Sequence, residues 1–189
     1  MIKKSFVQKL KKDHVEKNKE RSKIIKSSNP ILHDSKRIIF SLHRQDYNKA
    51  ENDLKKLEED IKKLQKNLGA ARLEQEGSYK AAIEEFLEAH LFWQWLTKHK
   101  IEKLKNLKLS HESYLGAISD LIGEMARFCT NQAAKHNTKE VTRASEDASE
   151  LLASLTEFDF TGYLRTKYDQ ARGHLKKIEQ VNYDISIRQ

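Results

Sequence analysis

The chain has 189 residues, 34% of them charged, with one proline, six glycines and one cysteine, and it carries a formal net charge of +8. That length suits a single domain, residues 1–189, and the scarcity of turn formers beside abundant helix formers points to an all-α fold. A lone Cys129 excludes an internal disulfide framework, and a mean hydropathy of -0.80 with no long apolar run excludes a transmembrane chain, so a soluble, cytoplasmic protein with no membrane partner is expected.

The first predicted element, Ile2 to about Ser27, is a long polar helix whose apolar residues (Phe6, Val7, Leu10, Val15, Ile24, Ile25) recur too sparsely for a core helix, so it reads as a peripheral or partner-contacting arm. Pro30 marks a kink or boundary, after which Ile31 to Arg44 resumes with Ile31, Leu32, Ile38, Ile39 and Leu42 on one side. Leu54, Leu57, Ile61, Leu64 and Leu68 then recur at three- and four-residue steps within Asp46 to Leu68, an amphipathic helix of coiled-coil type. Gly69 and Gly77 bracket a break, and a fourth helix spans Tyr79 to about His99. Ser110 offers an N-cap for a fifth running to about Ala134, and Asn137 with Glu140 has the spacing of a capping box for a sixth. A seventh covers about Phe160 to Tyr183.

Charge is unevenly placed: residues 1–69 hold 19 Lys and Arg against 10 Asp and Glu, whereas the remainder is nearly balanced. A basic half attracts polyanions such as nucleic acid, although lysines also serve simply to keep helix faces soluble.

The carboxylates carry the sharper signal. In Ala81 to Leu96 eleven of sixteen residues are apolar around nearly the whole circumference, so this helix is expected to be buried on most sides, and yet it contains Glu85 and Glu88 one turn apart. The fifth helix places Asp120 and Glu124 at the same kind of spacing, with Gly116 and Gly123 nearby to allow close approach of a backbone or ligand. Ionised carboxylates in such surroundings must be paired, protonated or bound to a cation. Two pincers facing each other would hold a divalent metal, and an all-carboxylate set favours Mg2+ or Mn2+. The alternative is plain ion pairing: Glu124 has Arg127 one turn on, and lysines of other helices could serve the glutamates. Leu91 and Arg127 stand where a Glu-x-x-His di-iron motif would need histidines, and zinc, P-loop and nucleophile motifs are missing.

Four segments, DSKRIIFSLHR at 34–44, EEFLEAHLFWQWL at 84–96, YLGAISDLIGEMARFCTN at 114–131 and LRTKYDQARGHLKKIEQVNYDISIR at 164–188, resemble the translin family and within it the Trax (translin-associated factor X) branch, in a form suggesting a prokaryotic or archaeal source. The resemblance implies a seven-helix translin-like bundle and a Mg2+-dependent endoribonuclease subunit of a hollow octamer enclosing RNA or single-stranded DNA, alone or with a translin-like partner subunit. It implies that Glu85, Glu88, Asp120 and Glu124 are the catalytic and metal-binding residues. On this reading Lys36, Arg37, His43 and Arg44 bind the RNA backbone and Arg127 clamps a phosphate beside the metal, against the plainer reading of a solvated helix face for Lys36, His43 and Arg44. Trp93 and Trp95 are expected in the core rather than stacked on bases. Two features depart from the family pattern: Glu74 to Tyr79 lacks the histidines and arginines usual there, and the connector Thr97 to Leu109 is shorter than in eukaryotic members. The competing expectation is a non-catalytic translin-type cage that binds single-stranded nucleic acid; a third is a helical adaptor recognised through its basic arm.

Overall fold

A computed structural model describes residues 2–187, which leaves Arg188, the last residue of the fourth resembling segment, outside the described residues. Six long helices and one single turn make up the architecture: α1 (Lys4–His43), α2 (Tyr47–Leu68), α3 (Ala70–Leu73), α4 (Gly77–Lys98), α5 (His111–Ala134), α6 (Thr138–Leu155) and α7 (Gly162–Ser186). No strand occurs among the described residues. The helix number agrees with the expected seven-helix bundle, but by a different partition.

The two helices expected on either side of Pro30 are one, because Pro30 lies on the exposed side of α1. The Lys26 carbonyl that loses its hydrogen-bond donor there faces water, which limits a penalty of about 3 kcal/mol for an interior proline. Burial of Ile24, Ser28, Ile31, Ser35 and Ile38 along one face holds the two halves in line. The seventh helix is instead the short α3, set between Gly69 and Gly77; Gly69 has φ 79°, a conformation open to glycine.

Helix ends follow local chemistry in part. Ser110 caps α5, accepting from the Ser113 amide at 3.2 Å. The capping box expected at Asn137 is absent: the Asn137 amide donates to Gln132 instead, and Glu140 is drawn to Arg143.

Pairings along the helices fix their directions. Arg21 meets Glu76, Lys36 meets Glu85 and the His43 ring meets Phe92, so α1 and α4 run parallel. Lys80 meets Glu112 and Trp95 meets Phe128, so α4 and α5 also run parallel. The same holds for α5 and α7, through Lys167 at Asp120 and His174 beside Gly123. Thus α1, α4, α5 and α7 lie side by side in one direction, while α2 returns along α1 and α4 and α6 returns along α5 and α7.

Parallel neighbours need a connection that travels the whole helix length. At about 1.5 Å per residue α4 spans roughly 33 Å, and residues 99–110 in extended form reach roughly 40 Å. That strap is pinned to the bundle by the Glu102 amide on Gln94, the Leu104 amide on the Tyr114 hydroxyl, and both Lys108 backbone groups on Gln65. Its own Leu104 and Leu107 are buried against the bundle.

The core runs continuously from Ile24 to Ile178 and centres on α4, where Ile83, Phe86, Leu87, Ala89, Leu91 and Phe92 are buried. Trp95 is buried as expected and donates to Asp147, and Trp93 is partly buried. No described helix is long and apolar enough to cross a membrane. Before Ile24, by contrast, α1 buries nothing: Phe6 is 55% exposed and Leu10 50%. Deletion of residues 1–18 is therefore expected to leave the stability of the isolated chain nearly unchanged in urea titrations, whereas Phe86→Ala should cost about 3–5 kcal/mol.

Candidate functional site

Because α4 and α5 run parallel, successive turns of one lie level with successive turns of the other. Glu84 faces Gly116, and the next turns bring Glu85 and Glu88 of α4 toward Asp120 and Glu124 of α5. All four sequence-predicted carboxylates therefore occupy one region and feel one another's charge. Glu88 lies deepest, 9% exposed, and has no hydrogen bond or ion pair among the described residues. Burial, reinforced by the negative charges of Asp120, Glu85 and Glu124, pushes its pKa up to about 9. Burial likewise raises Glu85, with Lys36 opposing and Asp120 and Glu124 reinforcing the shift. For Asp120 burial and the neighbouring Glu84 outweigh the lowering by Lys167, and the balance is upward.

Flanking helices supply the counter-charges. From α1, Lys36 approaches Glu85 at 3.9 Å, and His43 donates from Nε2 to Glu124. From α5 itself Arg127 lies 3.8 Å from Glu124, as its spacing suggested. From α7 the Lys167 ammonium bridges Asp120 and Glu84, at 2.8 Å from the latter, while the Tyr163 hydroxyl donates to Glu84. Desolvation works against the charge on Lys167, but its bonds to Asp120 and Glu84 prevail and hold it protonated.

The predicted basic residues divide. Lys36 and Arg127 are exposed at the rim of the carboxylate region. His43 is inside it, its side chain 5% exposed, so it works on Glu124 rather than on an open helix face. Arg37 pairs with Asp34 at 2.9 Å, and Arg44 reaches Asp46 at 4.0 Å and lies over the Phe40 ring.

Glu84, Tyr163 and Lys167 escaped the sequence reading. Glu84 stands one turn before Glu88 and was legible in principle as a third acidic position on α4, but nothing local links it to a lysine 83 positions later. Gly116 and Gly123 do allow close approach, by side chains rather than backbone. A Cβ at residue 116 would stand 2.7 Å from the Glu84 carboxyl carbon, and one at residue 123 would stand 3.3 Å from His174.

Five carboxylates form a hard-oxygen donor set of the kind Mg2+ and Mn2+ take, and the buried, unpartnered Glu88 is the donor such an ion would satisfy. Among the described residues, however, no three carboxylate, histidine or cysteine groups are gathered tightly enough to hold an ion between them. An apolar cavity of about 610 Å³ lies apart from this region, between the strap and the starts of α5 and α7, and none of the carboxylates lines it.

Residues 19–189 match the sequence profile of the Translin family. Translin of Gallus gallus is 31% identical over 88 residues, 46% of this chain and 38% of that protein. An uncharacterised protein of Methanocaldococcus jannaschii is 32% identical over 98 residues, 50% of this chain and 44% of its own. The chain thus spans about two-fifths of the length of these curated relatives. Among solved structures, AfC3PO superposes with a TM-score of 0.83 at 20% identity, covering 97% of this chain and 98% of its own. Apo-NeC3PO superposes with a TM-score of 0.82 at 20% identity, covering 98% of each chain. A complex of AfC3PO with duplex RNA gives 0.78 at 19% identity, covering 98% of this chain and 97% of that one.

Glu88 dictates a pH dependence. Its folded pKa of about 9 lies above the usual 4.5, so the folded state holds a proton that the unfolded state has released between those values. Its contribution to stability is complete below pH 4.5 and is lost as pH rises toward 9. In chelator-treated protein, urea titrations at pH 5 and pH 8 should show the wild type losing roughly 2–3 kcal/mol more than Glu88→Gln over that interval.

Proposed function

Since the chain belongs to the Translin family, we propose that it is the endoribonuclease subunit of an octameric, RNA-enclosing assembly, in which Glu85, Glu88, Asp120 and Glu124 hold Mg2+ or Mn2+. The observation that carries this reading is Glu88, a nine-tenths buried carboxylate with no partner, held level with three other carboxylates by two parallel helices. Such a group is costly to bury for stability alone. Homology to a family with a duplex-RNA complex among its structural neighbours supports RNA as the polyanion.

A divalent ion bound by these residues would supply a water nucleophile at neutral pH and charge neutralisation for the leaving oxygen of an RNA phosphodiester. The chain's own groups do the rest. Lys36 and Arg127, exposed at either side of the carboxylates, bind the phosphates flanking the cleaved one, and Arg37, on the side of α1 that faces α2, and Arg44 at its end offer further phosphate contacts. Glu85, only partly exposed and raised by burial, is poised to accept a proton from the attacking water, with Asp120 as the other acceptor. His43 fixes the orientation of Glu124 from Nε2. With a metal-activated water rather than the 2′-hydroxyl as nucleophile, the products carry 5′-phosphate and 3′-hydroxyl ends. We place the protein in the cytoplasm, its buried Cys129 reduced, as a homo-octamer or with a translin-like partner subunit.

A second reading has its own observation. Lys167, Lys36, His43 and Arg127 already pair with the carboxylates, as they would in a non-catalytic nucleic-acid-binding cage. Purified chain should cut labelled single-stranded RNA only with Mg2+ or Mn2+, and Glu88→Ala or Asp120→Ala should lower the rate by 100-fold or more, roughly, while filter binding persists. Binding without cleavage in either metal would decide for the cage, 2′,3′-cyclic phosphate ends would exclude a water nucleophile, and a monomeric mass in solution would exclude the assembly.

A further inference from the structure

Among the described residues Lys167 holds the one interior ammonium in the carboxylate region. Lys36 and Arg127 also pair there, but their side chains are more than half exposed, whereas that of Lys167 is 18% exposed. Its charge acts most strongly on Asp120, which it bonds directly, and more weakly on Glu85 and Glu88. It sits on Asp120, one of the four residues proposed to hold the metal, and so occupies the position of a positive charge within that set.

The ammonium also has a second, separate anchor. Glu84, carried by α4 rather than α5, lies 2.8 Å from Nζ and is itself fixed by the Tyr163 hydroxyl at the start of α7. The absence of a side chain at Gly116 makes the room Glu84 needs. Lysine suits a move between anchors, since it carries a compact charge on a flexible four-carbon stem. We infer that Lys167 is an exchangeable internal counter-ion: it neutralises Asp120 until a divalent cation takes that carboxylate, and it then rests on Glu84 and Tyr163.

The inference builds on the metal-binding reading above and adds that Asp120 is shared between two cations that exclude each other. Linkage then requires opposite effects from the two ends of the bridge. Removing the ammonium removes a competitor and tightens metal binding. Removing the charge of Glu84 takes away the alternative anchor, leaves Lys167 committed to Asp120, and weakens metal binding. A lysine that merely orients Asp120 would have both changes act in the same direction, toward weaker binding.

The test is calorimetric titration of MnCl2 into chelator-treated full-length protein at pH 8, comparing wild type with Lys167→Met, Lys167→Gln, Glu84→Gln and Glu88→Ala, with thermal midpoints as a check on folding. Both Lys167 variants should bind Mn2+ tighter by roughly 5- to 100-fold, and Glu84→Gln should bind it several-fold more weakly. Either lysine variant suffices if the other does not fold. Wild type that binds Mn2+ through Glu88 while the lysine variants bind equally or less tightly overturns the exchange and leaves the metal site standing. Glu84→Gln binding as tightly as wild type overturns the alternative anchor. Failure of every variant to bind Mn2+ overturns the metal site and the exchange together.

Discussion

Carboxylates crowded beside one another in a poorly hydrated place repel, and the bundle is arranged around that repulsion. Glu84, Glu85, Glu88, Asp120 and Glu124 are brought together by two parallel helices whose apolar sides form the centre of the core. Helices on both flanks then supply partners: α1 brings the Lys36 ammonium and the His43 ring N–H, and α7 brings the Lys167 ammonium. Among the described residues only Glu88, the deepest of the five, is left without a partner, and burial favours its protonated form. The same crowding that raises Glu88 therefore costs stability wherever the group must ionise.

The parallel run of α4 and α5 depends on the strap of residues 99–110. A short turn would make the two helices antiparallel, as it does for α1 and α2, and the acidic turns would then meet out of level. The strap is held by side-chain bonds from Gln65, Gln94 and Tyr114 rather than by structure of its own, so the geometry of the acidic cluster rests on polar residues outside it.

Much of this was legible in the residues. Spacing along single helices placed Glu85 with Glu88 and Asp120 with Glu124, marked the fourth helix as buried, and identified Ser110 as a cap, because all of these are local properties of a 3.6-residue repeat. Pro30 misled because periodicity does not say which face a proline occupies, and an exposed one leaves a helix whole. The Asn137 capping box failed where Gln132 and Arg143 competed for its two members. Residues that act across the bundle were out of reach: His43 read as a surface group until α4 and α5 were set beside it, and Lys167 gains its meaning only from Asp120 and Glu84 on two other helices.

The common direction of α1, α4, α5 and α7, against only α2 and α6 in return, also gives the molecule an electrical polarity. Peptide dipoles do not cancel in such a bundle, so the end where α4, α5 and α7 begin carries a surplus of unpaired amide hydrogens and partial positive charge. The solvent-exposed stretch of α1, rich in lysine, extends outward past that same end. At that one pole, therefore, the backbone and the lysine side chains contribute positive potential together.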